Sequence, residues 1–321
     1  MNTTALRVTV VGAGYMGKGI AQTLARGGAT VTLVDQKAEL AERAYQAMLD
    51  DVATGENAGL LAAGATELVR ERSAWMPSIA EGVADADFIM EVVYEDIAVK
   101  HAVLAKIEAH ASLRAIIATN TSAIPMGDLA TVLVRPERFF GIHWYNPAPY
   151  LPGIEVILSS HSDESLLAPV LALLRSSGKD PVMVADTPGF VANRLQFALF
   201  KEAALMVEEG TATPAQIDSV VKSAFGFRLP FFGPFAIADM AGLDVYANSY
   251  KTLAAQLGPR FEVPPSLRSR VDAGDLGTKT GGGYLGLSAE QTADMVSRRD
   301  RSYVALAKLR DELEGATSDD N

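Results

Sequence analysis

The sequence contains no cysteine among its 321 residues. Disulfide bonds and thiolate metal sites are therefore excluded, which is compatible with a reducing compartment. Basic residues are also in the minority, because 28 lysines and arginines stand against 39 aspartates and glutamates and leave a net charge of −11. With this charge we expect no basic surface for a nucleic-acid backbone or an anionic membrane, and neither is expected as a partner.

Signal-peptide features and long apolar runs are missing as well. Residues 1–7 lack the signal-peptide pattern, and no apolar run approaches the length that a membrane-spanning helix needs. We therefore expect a cytoplasmic protein. The length, together with 49% hydrophobic and 21% charged residues, is typical of a globular enzyme with two domains.

Histidine is scarce, and one of the four histidines occupies an informative position. His143 lies near the end of the apolar run 139–144. Three prolines follow it, Pro147, Pro149 and Pro152. They prevent a helix and leave an irregular loop, the kind of segment that often displays catalytic side chains. His143 is therefore a candidate general base at the end of a buried strand, and a hydrogen-bonded core histidine is the alternative.

A GAGYMG motif follows a short β-branched run near the start of the chain and precedes a helical pattern. Gly12 allows a tight turn, Gly14 lets the backbone approach a pyrophosphate, and Gly17 lets the helix pack closely on the strand. The N-terminus of that helix, where Tyr15 and Met16 lie, supplies free N–H groups to the anion. These residues are predicted to bind a dinucleotide.

Asp35 directly follows the second predicted strand, which spans residues 30–34. A carboxylate at this distance from the glycine motif can accept hydrogen bonds from the adenosine ribose hydroxyls and would repel a 2′-phosphate. The position therefore favours NAD over NADP. The alternative is a residue that caps the next helix.

Polar residues also follow the next predicted strand, which spans residues 87–93. Glu95 lies just beyond its end, and Lys100 lies at the start of the helix that comes after it. These two residues therefore lie at a strand end and at a helix start, where a functional role is open. A surface ion pair is the alternative.

A further strand is predicted at residues 114–119 and ends in Asn120-Thr121-Ser122. Open parallel sheets bind ligands beyond the carboxyl ends of their strands, so Ser122 is well placed for substrate, with a capping or turn role as the alternative. Residues 153–158 then form an extended apolar segment that contains one carboxylate, Glu155. A buried charge is costly unless it is paired, and His143 is the obvious partner.

The alternation of strands and helices ends near residue 187, where we place a domain boundary. Residues 1–187 are predicted to form an α/β domain and residues 188–321 an all-helical domain. Within the first domain, helices are predicted at 38–72, as a pair joined near 55–59, and at 162–176, before a last strand at 181–184. The second domain is predicted to contain helices at 193–209, 214–225, 235–257 and 288–313, a glycine-rich closing loop at 275–284, and a disordered end at 315–321.

Taken together, these motifs resemble the 3-hydroxyacyl-CoA dehydrogenase family along essentially the whole chain. The residues that carry the resemblance are 12–17, Glu95, 120–122, 141–143 with 146–147, 155–157, 186–191 with 193–194, 233–234 and 279–281. The resemblance implies a Rossmann-like, mostly parallel sheet domain that binds NAD. It also implies a helical second domain that forms a homodimer.

The resemblance further implies roles for individual residues. His143 would be the base and Glu155 its partner, while Glu95, Lys100 and Asn120 would lie on the cofactor side. The substrate would contact Ser122, Asn146 and Asn193, of which Asn193 falls in the first turn of a helix and has capping as its alternative. Oxidising an alcohol needs such a base, donors to the developing carbonyl oxygen and a nearby hydride acceptor, but no metal.

The segment after the second strand departs from what the resemblance implies for acyl-CoA members, in which basic residues there face the CoA phosphates. No lysine occurs between Lys37 and Lys100, and the carboxylates of Asp50, Asp51 and Glu56 would repel phosphate. The departure favours a substrate without CoA.

Arg228 lies in the segment 226–234, which is similar to the same segment in the gulonate and carnitine dehydrogenases of the family. The segments around His143, 152–157 and 239–244 are similar to a pyridine-aldehyde dehydrogenase of vitamin B6 degradation. We predict that Arg228 binds a substrate carboxylate, for which its planar guanidinium is suited. An internal ion pair with Asp239 is the alternative.

The main prediction is thus an NAD-dependent oxidoreductase that acts on a small, carboxylate-bearing hydroxyl or carbonyl compound without CoA. One alternative is a genuine L-3-hydroxyacyl-CoA dehydrogenase of fatty-acid metabolism. A second, of another class, is a non-catalytic NAD-binding structural protein.

Overall fold

A parallel sheet with helices on both faces forms the first part of the chain, as predicted. The computed structural model describes residues 5–318, and its eight-stranded sheet has the order β3-β2-β1-β4-β5-β6-β7-β8. The strands are β1 (Arg7–Val11), β2 (Thr30–Val34), β3 (Ser73–Trp75), β4 (Phe88–Glu91), β5 (Ile116–Thr119), β6 (Phe139–Trp144), β7 (Gly153–Leu158) and β8 (Asp180–Ala185). Neighbouring strands are parallel except for the antiparallel pair β6 and β7.

The strand order places a binding crevice at the centre of the sheet. From β1 the chain runs outward through β2 and β3, then returns to add β4 on the other side of β1. The loops after β1 and β4 therefore diverge, and a ligand can lie between them at the carboxyl edge of the sheet.

Seven helices and the start of an eighth belong to this part of the chain within the described residues. They are α1 (Tyr15–Arg26), α2 (Ala38–Asn57), α3 (Ala65–Arg72), α4 (Ile79–Val83), α5 (Ile97–His110), α6 (Met126–Ala130), α7 (Ala168–Ser176) and α8 (Ala192–Glu208). The predicted pair at 38–72 is thus α2 and α3, whereas the short elements β3, α4 and α6 were not predicted.

Two apolar cores lie on opposite faces of the sheet. One joins the sheet to α1 and α2 through residues such as Leu24 and Met48, and the other joins it to α4, α5 and α6. Strand β6 contributes to both because its side chains alternate. Ile142 and Trp144 enter the first core, while Phe139 enters the second. His143 shares its face of the strand with Phe139.

The chain divides into two compact units after Leu199, later than the boundary predicted near residue 187. Helix α8 begins in the first unit and continues into the second, so the division falls inside a helix. The second unit is helical. Its helices after α8 are α9 (Pro214–Ser223), α10 (Pro234–Ala241), α11 (Leu243–Leu257), α12 (Pro265–Asp272) and α13 (Ala289–Ser318).

The single helix predicted at 235–257 is wrong, because Gly242 separates α10 from α11. Gly242 has a φ of +104°, and a Cβ there would collide with the side chain of Lys279. The glycine-rich segment that contains Lys279 closes this unit, as predicted. The buried carboxylate of Asp239 accepts hydrogen bonds from the backbone N–H groups of Tyr284 and Leu285, at 2.9 and 3.0 Å.

The last helix is longer than predicted. Helix α13 continues to Ser318, past the end expected at residue 313 and into the segment 315–321 that was predicted to be disordered. Residues 319–321 of that segment lie outside the described residues. Between residues 5 and 318, no helix has the combined length and apolar character needed to cross a membrane.

Candidate active site

His143 and Glu155 face each other across the antiparallel strands β6 and β7. They are directly paired in the register, and His143 Nδ1 lies 2.9 Å from Glu155 Oε2. Both side chains are buried. The predicted pairing of the two residues is confirmed, and it follows from backbone register, since opposite residues on one face of an antiparallel pair lie in contact.

Glu155 is also bound from the other side, by the start of α8. Its Oε1 accepts hydrogen bonds from the backbone N–H groups of Val191 and Ala192, at 2.9 and 3.0 Å. Burial alone would raise the pKa of Glu155, but contacts with the Tyr145 hydroxyl, His143 and these N–H groups outweigh it and lower the pKa. A charged carboxylate next to Nδ1 requires a proton on that nitrogen, which leaves Nε2 of a neutral imidazole as an acceptor.

Tyr145 is a third member of this group that sequence reasoning missed. Its ring lies edge-on to the His143 ring with centroids 4.7 Å apart, and its buried hydroxyl is one of the groups that lower the pKa of Glu155. Burial and the neighbouring Glu155 both raise the pKa of the Tyr145 phenol. The available signal was its spacing, because residues two apart in a strand share a face and Tyr145 comes two after His143.

The glycine motif adopts the geometry of a dinucleotide turn. Gly12 has a φ of +115°, and a Cβ on it would lie 2.5 Å from the carbonyl oxygen of Val92. A Cβ on Gly17 would collide with the Gly12 carbonyl. Gly14 differs, because a Cβ there would meet no protein atom within 4 Å. The open space above Gly14, at the uncapped N-terminus of α1, fits a pyrophosphate better than any packing need of the protein.

Tyr15 and Met16 begin α1 with opposite orientations. The Tyr15 side chain is exposed, whereas Met16 is partly buried against the core between α1 and the sheet.

Asp35 is fixed beside the glycine turn. Its Oδ2 accepts a hydrogen bond from the backbone N–H of Ala13 at 2.8 Å, and its Oδ1 accepts one from Gln36 at 2.7 Å. The alternative of a helix cap is wrong, because the residue that precedes α2 in the capping position is Lys37. The carboxylate thus lies at the place where a ribose of the dinucleotide is expected.

Lys100 is fully buried, so the alternative of a surface ion pair is wrong for this residue. Its Nζ lies 3.0 and 3.1 Å from the two carboxylate oxygens of Glu91 and 3.2 Å from Oε2 of Glu95. Glu91 was not singled out from the sequence. It carried the same signal as Glu155, a carboxylate inside an apolar strand, and it is completely buried at the end of β4.

The loop after β5 brings Ser122 and Asn193 together. Asn193 lies inside α8, and its Nδ2 donates to the backbone carbonyl of Ser122 at 3.2 Å, which replaces the predicted capping alternative. Asn120 joins the ends of two strands, since its Oδ1 accepts from the backbone N–H of Trp144 at 2.8 Å. Asn146 is exposed in the turn after β6, next to a cis peptide bond with Pro147.

Arg228 belongs to the second unit, in the short 3₁₀ turn Gly226–Arg228. It is half-buried, and no carboxylate of the described residues lies within ion-pair distance of it. The alternative of an internal pair with Asp239 is wrong, because that carboxylate accepts hydrogen bonds from Tyr284 and Leu285 instead.

Comparison with known families matches both parts of the chain. Residues 7–187 match the NAD binding domain of 3-hydroxyacyl-CoA dehydrogenase, and residues 189–286 match the C-terminal domain of the same enzyme. The chain belongs to the 3-hydroxyacyl-CoA dehydrogenase family. It is accordingly an NAD-dependent oxidoreductase that acts on hydroxyl groups, and NAD supplies the hydride acceptor when it is bound.

Relatives within this family include enzymes for quite different substrates. A 5-formyl-3-hydroxy-2-methylpyridine 4-carboxylate 5-dehydrogenase from Mesorhizobium japonicum is 36% identical, over 96% of this chain and 98% of its own. The crystal structure of an enzyme of the same name, an NAD⁺-dependent dismutase, has 34% identity and a TM-score of 0.71, covering 97% of this chain and 99% of its own. A 3-hydroxyacyl-CoA dehydrogenase from Archaeoglobus fulgidus has 30% identity and a TM-score of 0.76, covering 94% and 99%.

The position of Asp35 predicts a strong preference for NAD. We expect kcat/KM for NAD to exceed that for NADP on the order of 100-fold or more, because a 2′-phosphate would meet a like charge. Asp35→Asn keeps an oxygen for the Ala13 N–H and removes the charge, so it should reduce the discrimination. Steady-state kinetics with both cofactors tests this, and equal or better use of NADP by the unmodified enzyme would contradict it.

Proposed function

We propose that this enzyme transfers hydride between NAD and the hydroxyl or carbonyl carbon of a small, carboxylate-bearing substrate that is not a CoA thioester, with His143 as the general base. The observation that carries the substrate class is the half-buried Arg228 guanidinium, which has no carboxylate partner among the described residues. The general chemistry rests on the pairing of His143 with Glu155.

The proton transfer follows from the tautomer that Glu155 enforces. Nδ1 of His143 donates to Glu155, so Nε2 is free to accept the proton of the substrate hydroxyl as hydride leaves the same carbon. The imidazolium that forms is stabilised by the carboxylate 2.9 Å away. Ser122 and Asn193 are the proposed donors to the substrate oxygen as it becomes a carbonyl.

The absence of CoA from the substrate is supported by the charges around α2. The exposed carboxylate of Asp51 forms an ion pair with Lys18, with Oδ2 and Nζ 3.0 Å apart. The Lys18 ammonium is therefore already paired. A cavity of about 280 Å³ lies between α1, α2 and residues 147–150, and its walls include Asp51 but no lysine or arginine. A phosphate group would find no cation on the walls of this cavity and one carboxylate to repel it.

Glu56 is not among the residues that line this cavity. Its carboxylate accepts hydrogen bonds from the backbone N–H of Gly64 and from both the N–H and the hydroxyl of Thr66, and these bonds lower its pKa. Glu56 therefore stabilises the start of α3, and only Asp51 and the missing lysines disfavour a phosphate at this cavity.

A carboxylate-bearing substrate is what a free arginine would bind best. The guanidinium plane offers parallel N–H donors that match the two oxygens of a carboxylate, and partial burial strengthens the contact. The relative from Mesorhizobium japonicum carries a pyridine carboxylate in its name, whereas the Archaeoglobus relative is a 3-hydroxyacyl-CoA dehydrogenase. A carboxylate substrate, as in the name of the Mesorhizobium enzyme, is compatible with a contact to Arg228. A 3-hydroxyacyl-CoA substrate is the alternative.

A substrate screen separates these possibilities. We expect NADH formation with free hydroxy acids or aromatic aldehydes that carry a carboxylate, and none with 3-hydroxyacyl-CoA thioesters. Turnover of CoA thioesters alone would contradict this proposal and would support a genuine L-3-hydroxyacyl-CoA dehydrogenase of fatty-acid metabolism. The absence of turnover with every class, in a protein that binds NAD, would support a non-catalytic role.

We also propose that the enzyme is a homodimer. Helix α8 exposes several large apolar side chains, with Leu195, Phe197 and Phe200 each more than half exposed. Large apolar side chains exposed in such number commonly mark a protein interface. A second copy of the chain is the partner that we propose, and a cytoplasmic location stays a prediction.

The role of His143 predicts a selective loss of turnover. We expect His143→Gln to lower kcat by about 100-fold or more, the usual scale for losing a general base, with little change in the Kd for NADH. Glu155→Gln should act in the same direction but less severely. His110→Gln, an exposed histidine at the end of α5, is the matched control. Near-normal turnover in the His143 variant would make that residue a core histidine.

The role of Arg228 predicts an effect on substrate binding alone. Arg228→Met should weaken binding of the preferred acid by about 2 kcal/mol or more, seen as a higher KM, without changing the KM for NAD. Arg228→Lys should restore only part of the loss, because the paired N–H geometry is gone. Arg268→Met, an exposed arginine of α12, is the control. An unchanged KM for the acid in the Arg228→Met variant would refute the carboxylate contact.

A further inference from the structure

A network of charges connects the ends of β4 and β5 with the start of α5 at the carboxyl edge of the sheet. Its buried members are Glu91 at the end of β4, Lys100 in the first turn of α5 and Thr119 at the end of β5, and its partly exposed member is Glu95 in the loop after β4. We propose that Glu91 is a positioning residue, which holds Lys100 so that Glu95 remains free to fix the loop that carries Ser122. The proposal rests on the proposed function only in the role given to Ser122.

Lys100 is the centre of the network. It is fully buried, and its Nζ donates to both oxygens of Glu91 and contacts Glu95 and the carbonyl of Val93. An ammonium removed from water is costly unless anions and acceptors surround it. The ammonium of Lys100 therefore fixes the positions of Glu91, Glu95 and the Val93 carbonyl.

Glu95 uses its two oxygens for different tasks. Its Oε2 lies 3.2 Å from Lys100, while its Oε1 accepts from the Thr121 hydroxyl at 2.6 Å and from the backbone N–H groups of Ser122 and Ala123 at 2.7 and 3.2 Å. Burial would raise the pKa of Glu95, but the Thr121 hydroxyl and Lys100 outweigh it and lower the pKa. The charged carboxylate thus joins the cation to the Ser122 loop.

Lys100 has two carboxylates as partners, Glu91 and Glu95. One carboxylate would neutralise Lys100, yet two lie against it, so the pair is not required for charge balance alone. Glu91 occupies the ammonium with both oxygens and is itself held by the Thr119 hydroxyl and the Val93 N–H. Without the Glu91 charge, Lys100 would attract both oxygens of Glu95, and the hydrogen bonds that Glu95 accepts from residues 121–123 would weaken.

The alternative is a purely structural role, in which Glu91 and Lys100 only attach α5 to the sheet. The same helix offers a matched comparison. Glu108 is also a buried carboxylate of α5, 2.7 Å from Arg138, but the residues that it contacts lie away from the Ser122 loop. Glu108→Gln removes a charge of the same kind without touching residues 119–123.

The experiment compares Glu91→Gln with Glu108→Gln in the full-length protein. Amide hydrogen exchange without substrate is measured first, and we expect faster exchange at residues 121–123 in Glu91→Gln only. Kinetics with NAD and the preferred substrate should show kcat lower by about 10- to 100-fold in that variant, the scale of a group misplaced near the reacting atoms. The KM for NAD should stay within about twofold of the normal value.

Coupling to Ser122 distinguishes positioning from structural damage. The combined Glu91→Gln/Ser122→Ala variant should be no slower than Ser122→Ala alone, because both changes remove the same contribution. Additive losses, or exchange at residues 121–123 that equals that of Glu108→Gln, would overturn the proposal. If Ser122→Ala alone leaves kcat unchanged, the role proposed for Ser122 fails, and hydrogen exchange by itself still decides whether Glu91 positions the loop.

A milder variant covers the case in which Glu91→Gln does not fold. Thr119→Val leaves every charge in place and removes the hydroxyl that donates to Glu91 at 2.5 Å and accepts from the Thr121 N–H at 3.3 Å. The loss of the second bond acts on Thr121 directly, so the readout is residues 122 and 123, where we expect a smaller change of the same kind, with faster exchange and a lower kcat. Normal values of both quantities would overturn the proposal.

Discussion

The antiparallel pairing of β6 with β7 is the constraint on which the site depends. The other neighbouring strands of the sheet are parallel. Because β7 runs antiparallel to β6, Glu155 lies directly opposite His143. A shift of the register by one residue would turn one of the two side chains to the other face of the sheet. The hydrogen bond from Nδ1, and with it the accepting Nε2, therefore depends on backbone hydrogen bonds between the strands.

Two buried carboxylates near the carboxyl edge of the sheet, Glu155 and Glu91, are each paired with a basic side chain. Glu155 is matched by His143 and by the N–H groups that begin α8, and Glu91 is matched by Lys100. In both places the cost of burying a charge keeps its partner in one position. The groups proposed to handle the substrate proton and oxygen are thereby held by charges rather than by apolar packing alone.

Sequence reasoning succeeded where a local rule determined the structure. The glycine turn, Asp35 and the fold class follow from steric and electrostatic requirements that act within a few residues, and the Glu155 partner followed from the cost of an unpaired charge. The same cost applies to Glu91, but its partner Lys100 lies on the next helix, where Glu95 is an equally near partner in the sequence. Tyr145 could also have been found, from its spacing to His143.

Other features depend on contacts that no local rule supplies. Gly242 breaks a helix because Lys279, far along the chain, occupies the space of a side chain there. Asp239 could have paired with Arg228 by sequence distance, yet the closing segment at Tyr284 and Leu285 takes its carboxylate.

The tautomer of His143 tests the proposed proton transfer most directly, and it is measured by NMR on protein labelled with ¹⁵N in its four histidines. The His143 signals are assigned by their loss in His143→Gln, at a pH where the imidazole is neutral. We expect a proton on Nδ1, shared with Glu155, and none on Nε2. A proton on Nε2 with a bare Nδ1 would contradict it, because the imidazole could then neither bind Glu155 as described nor accept the substrate proton.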